Sequence, residues 1–199
     1  MNLVFDLGGV VVRWDPDAII AGVFSEVQVQ RKVKAALFEH PDWLELDRGT
    51  LGRDEAIARA AQRTGISVSD MKRLMQAVPP SLVVFPQTVQ LLRRLKKKGY
   101  PLYCLSNMHF ASIDYLEQNE QFWDVFQGRV ISCRLNLCKP ETAIYEHLLR
   151  AFGLKASETV FIDDVQKNLD AAAKLGIRTL RFENAAQCER ELAQLGVAA

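Results

Sequence analysis

Five side chains stand out for the chemistry they could do: Asp6, Ser106, Lys139 and the adjacent Asp163 and Asp164. Asp6 interrupts an apolar run, Leu3 to Val12, otherwise made of strand-forming residues. A carboxylate in such a place is rarely left buried unless it is paired or coordinates a metal. Taken alone, Asp6-Leu7-Gly8-Gly9 reads equally well as a turn joining two hairpin strands. Three carboxylates gathered at one point cannot all ionise comfortably without a cation. An all-oxygen set with one lysine suits Mg²⁺ and a phosphate. In that setting the Ser106 hydroxyl and nearby backbone N–H groups could hold phosphate oxygens, and Lys139 could neutralise their charge. Asp6, unprotonated and in line with phosphorus, could act as a covalent nucleophile.

That chemistry requires elements that bring these residues together. Apolar segments at 101–106, 128–133, 159–163 and 177–182 read as strands. Between them 88–98, 109–117, 141–152, 166–175 and 185–195 carry helical spacing, several stopped by glycine. Strands alternating with helices predict parallel βαβ units in a doubly wound α/β sheet. Ligands then bind at the carboxyl ends of the strands. Asp6, Ser106-Asn107 and Asp163-Asp164 fall at such ends, and Cys138-Lys139-Pro140 lies in a loop before one of the strands. After Val12 the pattern changes. Asp15-Pro16 opens a helix carrying Ile19, Ile20, Val23, Phe24 and Val27. Helical segments follow at 32–40 and 53–64, with a turn or short helix at 41–49. A capping box, Ser67 to Asp70, opens a helix expected to run through Ala77 and stop at Pro79-Pro80. The first strand is therefore followed by a helical insertion.

Composition narrows the function. Apolar residues at 49% and charged residues at 25% describe an ordinary globular chain. A net charge of +1 gives no reason to expect nucleic acid or a membrane surface as partner. Cys104, Cys133, Cys138 and Cys188 show no C-x-x-C spacing, and no signal peptide or 18-residue apolar run is present. Reduced thiols and a cytoplasmic location are expected. His40, His109 and His147 are too scattered for a histidine metal site. Oligomeric state is not legible.

Four motifs in order carry a resemblance. They are Phe5-Asp6-Leu7-Gly8-Gly9-Val10, Leu105-Ser106-Asn107, Cys138-Lys139-Pro140-Glu141 with Ile144-Tyr145, and Phe161-Ile162-Asp163-Asp164 with Asn168, Ala171-Ala172 and Leu175-Gly176. With them the chain resembles the haloacid dehalogenase superfamily, most nearly its bacterial phosphatases of α-D-glucose 1-phosphate. The resemblance implies a five-stranded sheet of order 3-2-1-4-5. It implies an α/β core of residues 1–13 and 87–199 and an α-helical cap of residues 14–86. Asp6 would be the nucleophile, forming an aspartyl-phosphate, and a Mg²⁺ ligand with Asp163, Asp164 and the Gly8 carbonyl. Ser106, Asn107 and Lys139 would bind the phosphoryl group, and Lys139 would also hold Asp6. Asn168 would support the acidic pair. The expected function is Mg²⁺-dependent hydrolysis of a small phosphorylated metabolite, a sugar phosphate among the candidates.

One position departs from the family pattern. Most family phosphatases carry an acid/base aspartate two residues after the nucleophile, where this chain has Gly8. Such a group is worth about 10²–10⁴-fold. Its absence keeps open a metal-independent dehalogenase attacking carbon, and a weakly active or non-catalytic binding module. The carboxylate pair favours the phosphatase. His109, Asp47 and Arg48 are candidates to assist, and Arg13 and Trp14 fall at the expected hinge between core and cap.

Overall fold

A computed structural model describes residues 1–198. Five strands form one sheet: β1 (Asn2–Phe5), β2 (Leu102–Ser106), β3 (Gly128–Ile131), β4 (Thr159–Asp163) and β5 (Arg178–Arg181). All pairings are parallel and the order is β3-β2-β1-β4-β5. This is the predicted doubly wound order, with β1 in the centre.

Among the described residues ten α-helices complete the fold. Five precede β2: α1 (Pro16–Ala21), α2 (Val27–Val33), α3 (Pro41–Arg48), α4 (Arg53–Thr64) and α5 (Val68–Ser81). Then come α6 (Pro86–Lys97), α7 (Phe110–Asn119), α8 (Thr142–Phe152), α9 (Gln166–Ala173) and α10 (Ala185–Gln194). Parallel sheets need both faces covered. Along β1, Leu3 and Phe5 pack on one face with Leu91, Leu95, Ile113 and Leu192. Val4 points to the other face, with Ile144, Tyr145, Leu148 and Leu169. The strand's period of two sorts its side chains between the helical layers.

Helices α1 to α5 gather a cluster of their own, built on Ile20, Leu37, Leu46, Ile57, Met71, Leu74 and Val78. The chain leaves for this block and returns from it side by side. Val12 bridges antiparallel to Val84, Arg13 N–H donates to Val83 O at 2.8 Å, and Phe85 N–H donates to Val11 O at 2.8 Å.

Several boundaries differ from the sequence reading. Helix α1 ends before Gly22, so Val23, Phe24 and Val27 lie outside it; a lone first turn capped by Asp15 is not extended without tertiary support. The segment from Lys34 to Phe38 winds as a π-helix continuing α2. Strand β3 stops at Ile131, and Cys133 falls in a 3-10 turn. Helix α5 passes through Pro79 and Pro80 to Ser81. Proline costs a helix the bond to the carbonyl four residues back. Pro79 and Pro80 withhold these bonds from the carbonyls of buried Met75 and exposed Gln76, and buried Val78 anchors this last turn.

Candidate active site

Register builds the acidic centre. Phe5 pairs with Ile162, so Asp6 and Asp163 leave neighbouring strands at the same level. The Asp6 N–H still donates to Ile162 O at 2.9 Å. Ligand oxygens of Asp6, Asp163 and Asp164 all lie within 4.8 Å of one another. On the other flank Phe5 pairs with Cys104, which brings Ser106 and Asn107 to the same edge.

Lys139 arrives from the loop before α8 and is buried. Its backbone is clamped by the Asn107 side chain: Lys139 N–H donates to Asn107 Oδ1 at 2.8 Å, and Asn107 Nδ2 donates to Lys139 O at 2.9 Å. Its Nζ then reaches Asp6 Oδ2 at 2.8 Å and Asp163 Oδ2 at 2.7 Å. Burial alone would drive an ammonium's pKa down, but the two carboxylates overcome it and hold Lys139 charged. Asp6 feels the opposite balance. Burial, with Asp163 adding to it, pushes its carboxyl up to about 7 against the pull of Lys139.

The three carboxylates are not equivalent. Asp163 is saturated: Oδ1 accepts from Val165 N–H at 2.8 Å, Asn168 Nδ2 donates to both oxygens at 3.1 Å, and Lys139 takes Oδ2. Asp6 Oδ1 accepts from Leu7 N–H at 2.7 Å. Asp164 is half-buried, lines the cavity, and is raised in pKa by burial and by Asp163. The Asn168 Oδ1 is buried without a partner among the described residues. This donor set, oxygen-only, crowded and short of positive charge, fits a hard divalent cation.

A cavity of about 530 Å³ opens over these groups. Asp6, Gly8, Asn107, Lys139 and Asp164 form its charged floor. Ser106 is buried at the end of β2 and is not among the lining residues. The opposite wall comes from the helical block and the start of α7. Asp47 lines it, and burial pushes its carboxyl up to about 7; Asp6's charge adds to that, while the His109 backbone N–H and Trp43 pull the other way. His109 is pushed down to about 4 by burial, with Arg53's charge helping, and its Nε2 pairs with Ser112 Oγ at 3.0 Å. Arg48 turns away from the cavity and forms a two-pronged pair with Glu141, 2.8 Å on one side. Arg13 is exposed and does not line the cavity, whereas its neighbour Trp14 does.

Sequence reasoning missed several contributors. Gly9, read as turn chemistry, has φ of +75°, and a Cβ there would run into the Asp164 carboxylate. Ser132 accepts from Met108 N–H at 2.8 Å and donates to Asp47 O, joining β3's end to α3. Phe38 and Trp43 line the cavity. A positive φ is hinted at by glycine itself, but no local pattern marks the other three.

A model of the haloacid dehalogenase-like hydrolases matches residues 1–176. The chain belongs to this family. Within it, the chain is 27% identical over 192 residues to sesquiterpene phosphatase astK of Aspergillus oryzae, spanning 96% of this chain and 94% of that one. It is 26% identical over 208 residues to D-ribitol-5-phosphate phosphatase of Bacteroides thetaiotaomicron, spanning 96% of each. A haloacid dehalogenase family enzyme from Bacteroides thetaiotaomicron, solved with magnesium and inorganic phosphate, superposes with a TM-score of 0.72. The two share 26% identity over 92% of this chain and 93% of the other.

Proposed function

We propose that this haloacid dehalogenase-like hydrolase is a Mg²⁺-dependent phosphatase of a small phosphorylated metabolite, working through an aspartyl-phosphate on Asp6. The observation that carries the reading is Lys139, buried and bridging Asp6 and Asp163, with Asp164 beside them on a cavity floor. Asp6, Asp164 and the Gly8 carbonyl would hold the cation, and saturated Asp163 would act through water or by fixing Lys139. Bound there, Mg²⁺ would supply positive charge to the oxygens of the transferring phosphoryl group. Lys139 opposes the protonation that burial favours at Asp6, and it adds a second positive charge. Asn107, its amide committed to Lys139, would meet phosphate through its backbone N–H; buried Ser106 would frame the same edge.

In the first half-reaction an Asp6 oxygen forms a bond to phosphorus. The ester P–O bond breaks, and its electron pair leaves with the alcohol oxygen. That oxygen needs a proton, and Gly8 cannot give one. Asp47, a buried carboxyl on the same cavity with its pKa raised to about 7, is our choice of donor. In the second half-reaction Asp47 takes a proton from water, the water oxygen bonds to phosphorus, and the P–O bond to Asp6 breaks. Residues 14–86 act in this reading as the cap over a core of 1–13 and 87–199. The four free, buried cysteines suit a reducing compartment such as the cytoplasm. Among the described residues no helix is long and apolar enough to cross a membrane.

The test is phosphate release from a panel of metabolite monoesters with and without Mg²⁺, repeated with Asp6→Asn. Mg²⁺-dependent release abolished by Asp6→Asn supports the reading. Release that ignores the metal or survives Asp6→Asn sinks it. Chloride release from a 2-haloacid without metal would replace it with the dehalogenase.

A further inference from the structure

Opposite the charged floor, the cavity presents an aromatic face. Trp14 and Trp43 stack with ring centroids 5.5 Å apart and 29° between planes. Phe38 packs against both, at 5.9 Å from Trp14 and 4.6 Å from Trp43. His109 stands edge-on to Trp43 at 5.5 Å. These rings reach the cavity from the exit segment after β1, the π-helical turn, α3 and the cap of α7, so four separate parts of the chain converge on one surface. Trp14 stays 36% exposed, although a large ring of this kind is ordinarily drawn into a core.

Apart from Asp47, assigned above to the leaving oxygen, three polar side chains near this face have partners. His109 Nε2 is paired with Ser112, His40 Nδ1 accepts from Asp42 N–H at 3.1 Å, and the Asn168 amide nitrogen is spent on Asp163. Burial keeps the His109 ring neutral, so it serves as a further apolar edge. Glu39 and Lys167, which also line the cavity, are exposed. A polyol seated against the rings would give up water at each hydroxyl and meet few partners. A ring or an unsaturated chain would gain both burial and stacking.

We propose that the alcohol part of the substrate is a bulky apolar group, aromatic or unsaturated hydrocarbon, seated on Trp14, Phe38 and Trp43 while its phosphate meets Lys139 and Asp6. This rests on the phosphatase reading and replaces the sugar expected from the sequence.

The experiment compares 3-phenylpropyl phosphate with ribitol 5-phosphate, both esters of primary alcohols with similar leaving groups. With Mg²⁺, kcat/KM is expected to favour the phenylpropyl ester by about tenfold or more. Trp43→Ala should remove that preference and Trp43→Phe should keep most of it. Trp14→Ala, at the more exposed ring, gives the same readout with less disturbance of the packing. Preference for ribitol 5-phosphate, or an equal loss on both esters in the Trp14 and Trp43 alanine variants, overturns the inference. Should neither ester release phosphate, the metabolite panel with Asp6→Asn decides the phosphatase reading. Quenching of tryptophan fluorescence by the two esters then decides the inference separately: tighter binding of the phenylpropyl ester supports it, and equal or reversed binding refutes it.

Discussion

Two glycines follow Asp6, and the space around them is opposite in kind. A Cβ on Gly8 would meet only the Cβ of Trp14, at 3.7 Å, so a side chain fits there. In an Asp47→Asn background, Gly8→Asp is expected to speed hydrolysis of simple alkyl phosphates by about 10²-fold, and that of sugar 1-phosphates by less, because their leaving oxygen needs the proton less. Steady-state kinetics on both substrate types checks this, and an equal gain would refute the leaving-group argument. Gly9→Ala should instead abolish Mg²⁺-dependent release, since its Cβ displaces Asp164. Asp47 allows a paired prediction. Asp47→Asn should slow alkyl phosphates by about 10²-fold; with p-nitrophenyl phosphate, whose leaving group needs no acid, it should leave the first burst of p-nitrophenol fast and slow only the turnover that follows. The same change should stabilise the metal-free protein at pH 8. The Asp47 carboxyl keeps its proton in the folded chain up to about 7, whereas the unfolded chain releases it near pH 4. Its contribution is therefore lost as pH rises between those values, on the order of 4 kcal/mol at most. Asparagine has nothing to lose, so the gain should vanish at pH 4. Thermal melts at the two pH values measure it.

At the scale of elements, the cavity wall depends on how α3 docks against the loops after β2 and β3. Gly49, at φ +84°, ends the helix and brings it close to the Cys133 backbone. Ser132 joins Met108 N–H to Asp47 O, Asn136 Nδ2 donates to Arg48 O at 3.1 Å, and Arg48 pairs with Glu141. Their strengths differ. Glu141 is well exposed, so Arg48→Ala should cost about 1 kcal/mol or less. Ser132 is fully buried, and Ser132→Ala strands a buried N–H and a carbonyl, costing about 1–3 kcal/mol. Urea titrations of the two variants should keep that order. None of this docking was legible beforehand. The capping box at Ser67 and the stops at Gly65 and Gly153 were, because each acts within one turn. The stop expected at Pro79-Pro80 was overridden by burial of Val78, a tertiary contact.

The whole molecule is a sheet with helices on both faces and a second helical cluster joined to it by two adjacent segments. Charge is concentrated at the point where they meet. With one lysine among three carboxylates, the metal-free fold carries an electrostatic load that a bound cation would relieve. Mg²⁺ at about 100 times its dissociation constant should add about 2.7 kcal/mol. For a chain of this size that is a rise in melting temperature of about 5–10 °C. Asp164→Asn should remove most of the shift, and Ca²⁺ should reproduce it only in part, given its larger radius and longer bonds. Scanning calorimetry with Mg²⁺, Ca²⁺ and EDTA checks this without any substrate.

The sequence by itself determined the parallel sheet, its helical layers, the insertion after the first strand, and the acidic residues at strand ends. Those features follow from local periodicity, and a carboxylate in an apolar run announces itself wherever the chain goes. Tertiary structure alone decided how the site is divided. It spent the Asn107 amide on Lys139, turned Ser106 out of the cavity lining, saturated Asp163 and left Asp164 open. It also gathered Trp14, Phe38, Trp43 and His109 into one face and set Asp47 beside them. Which way a side chain points is set by register and by helix docking, and these join segments far apart in the chain.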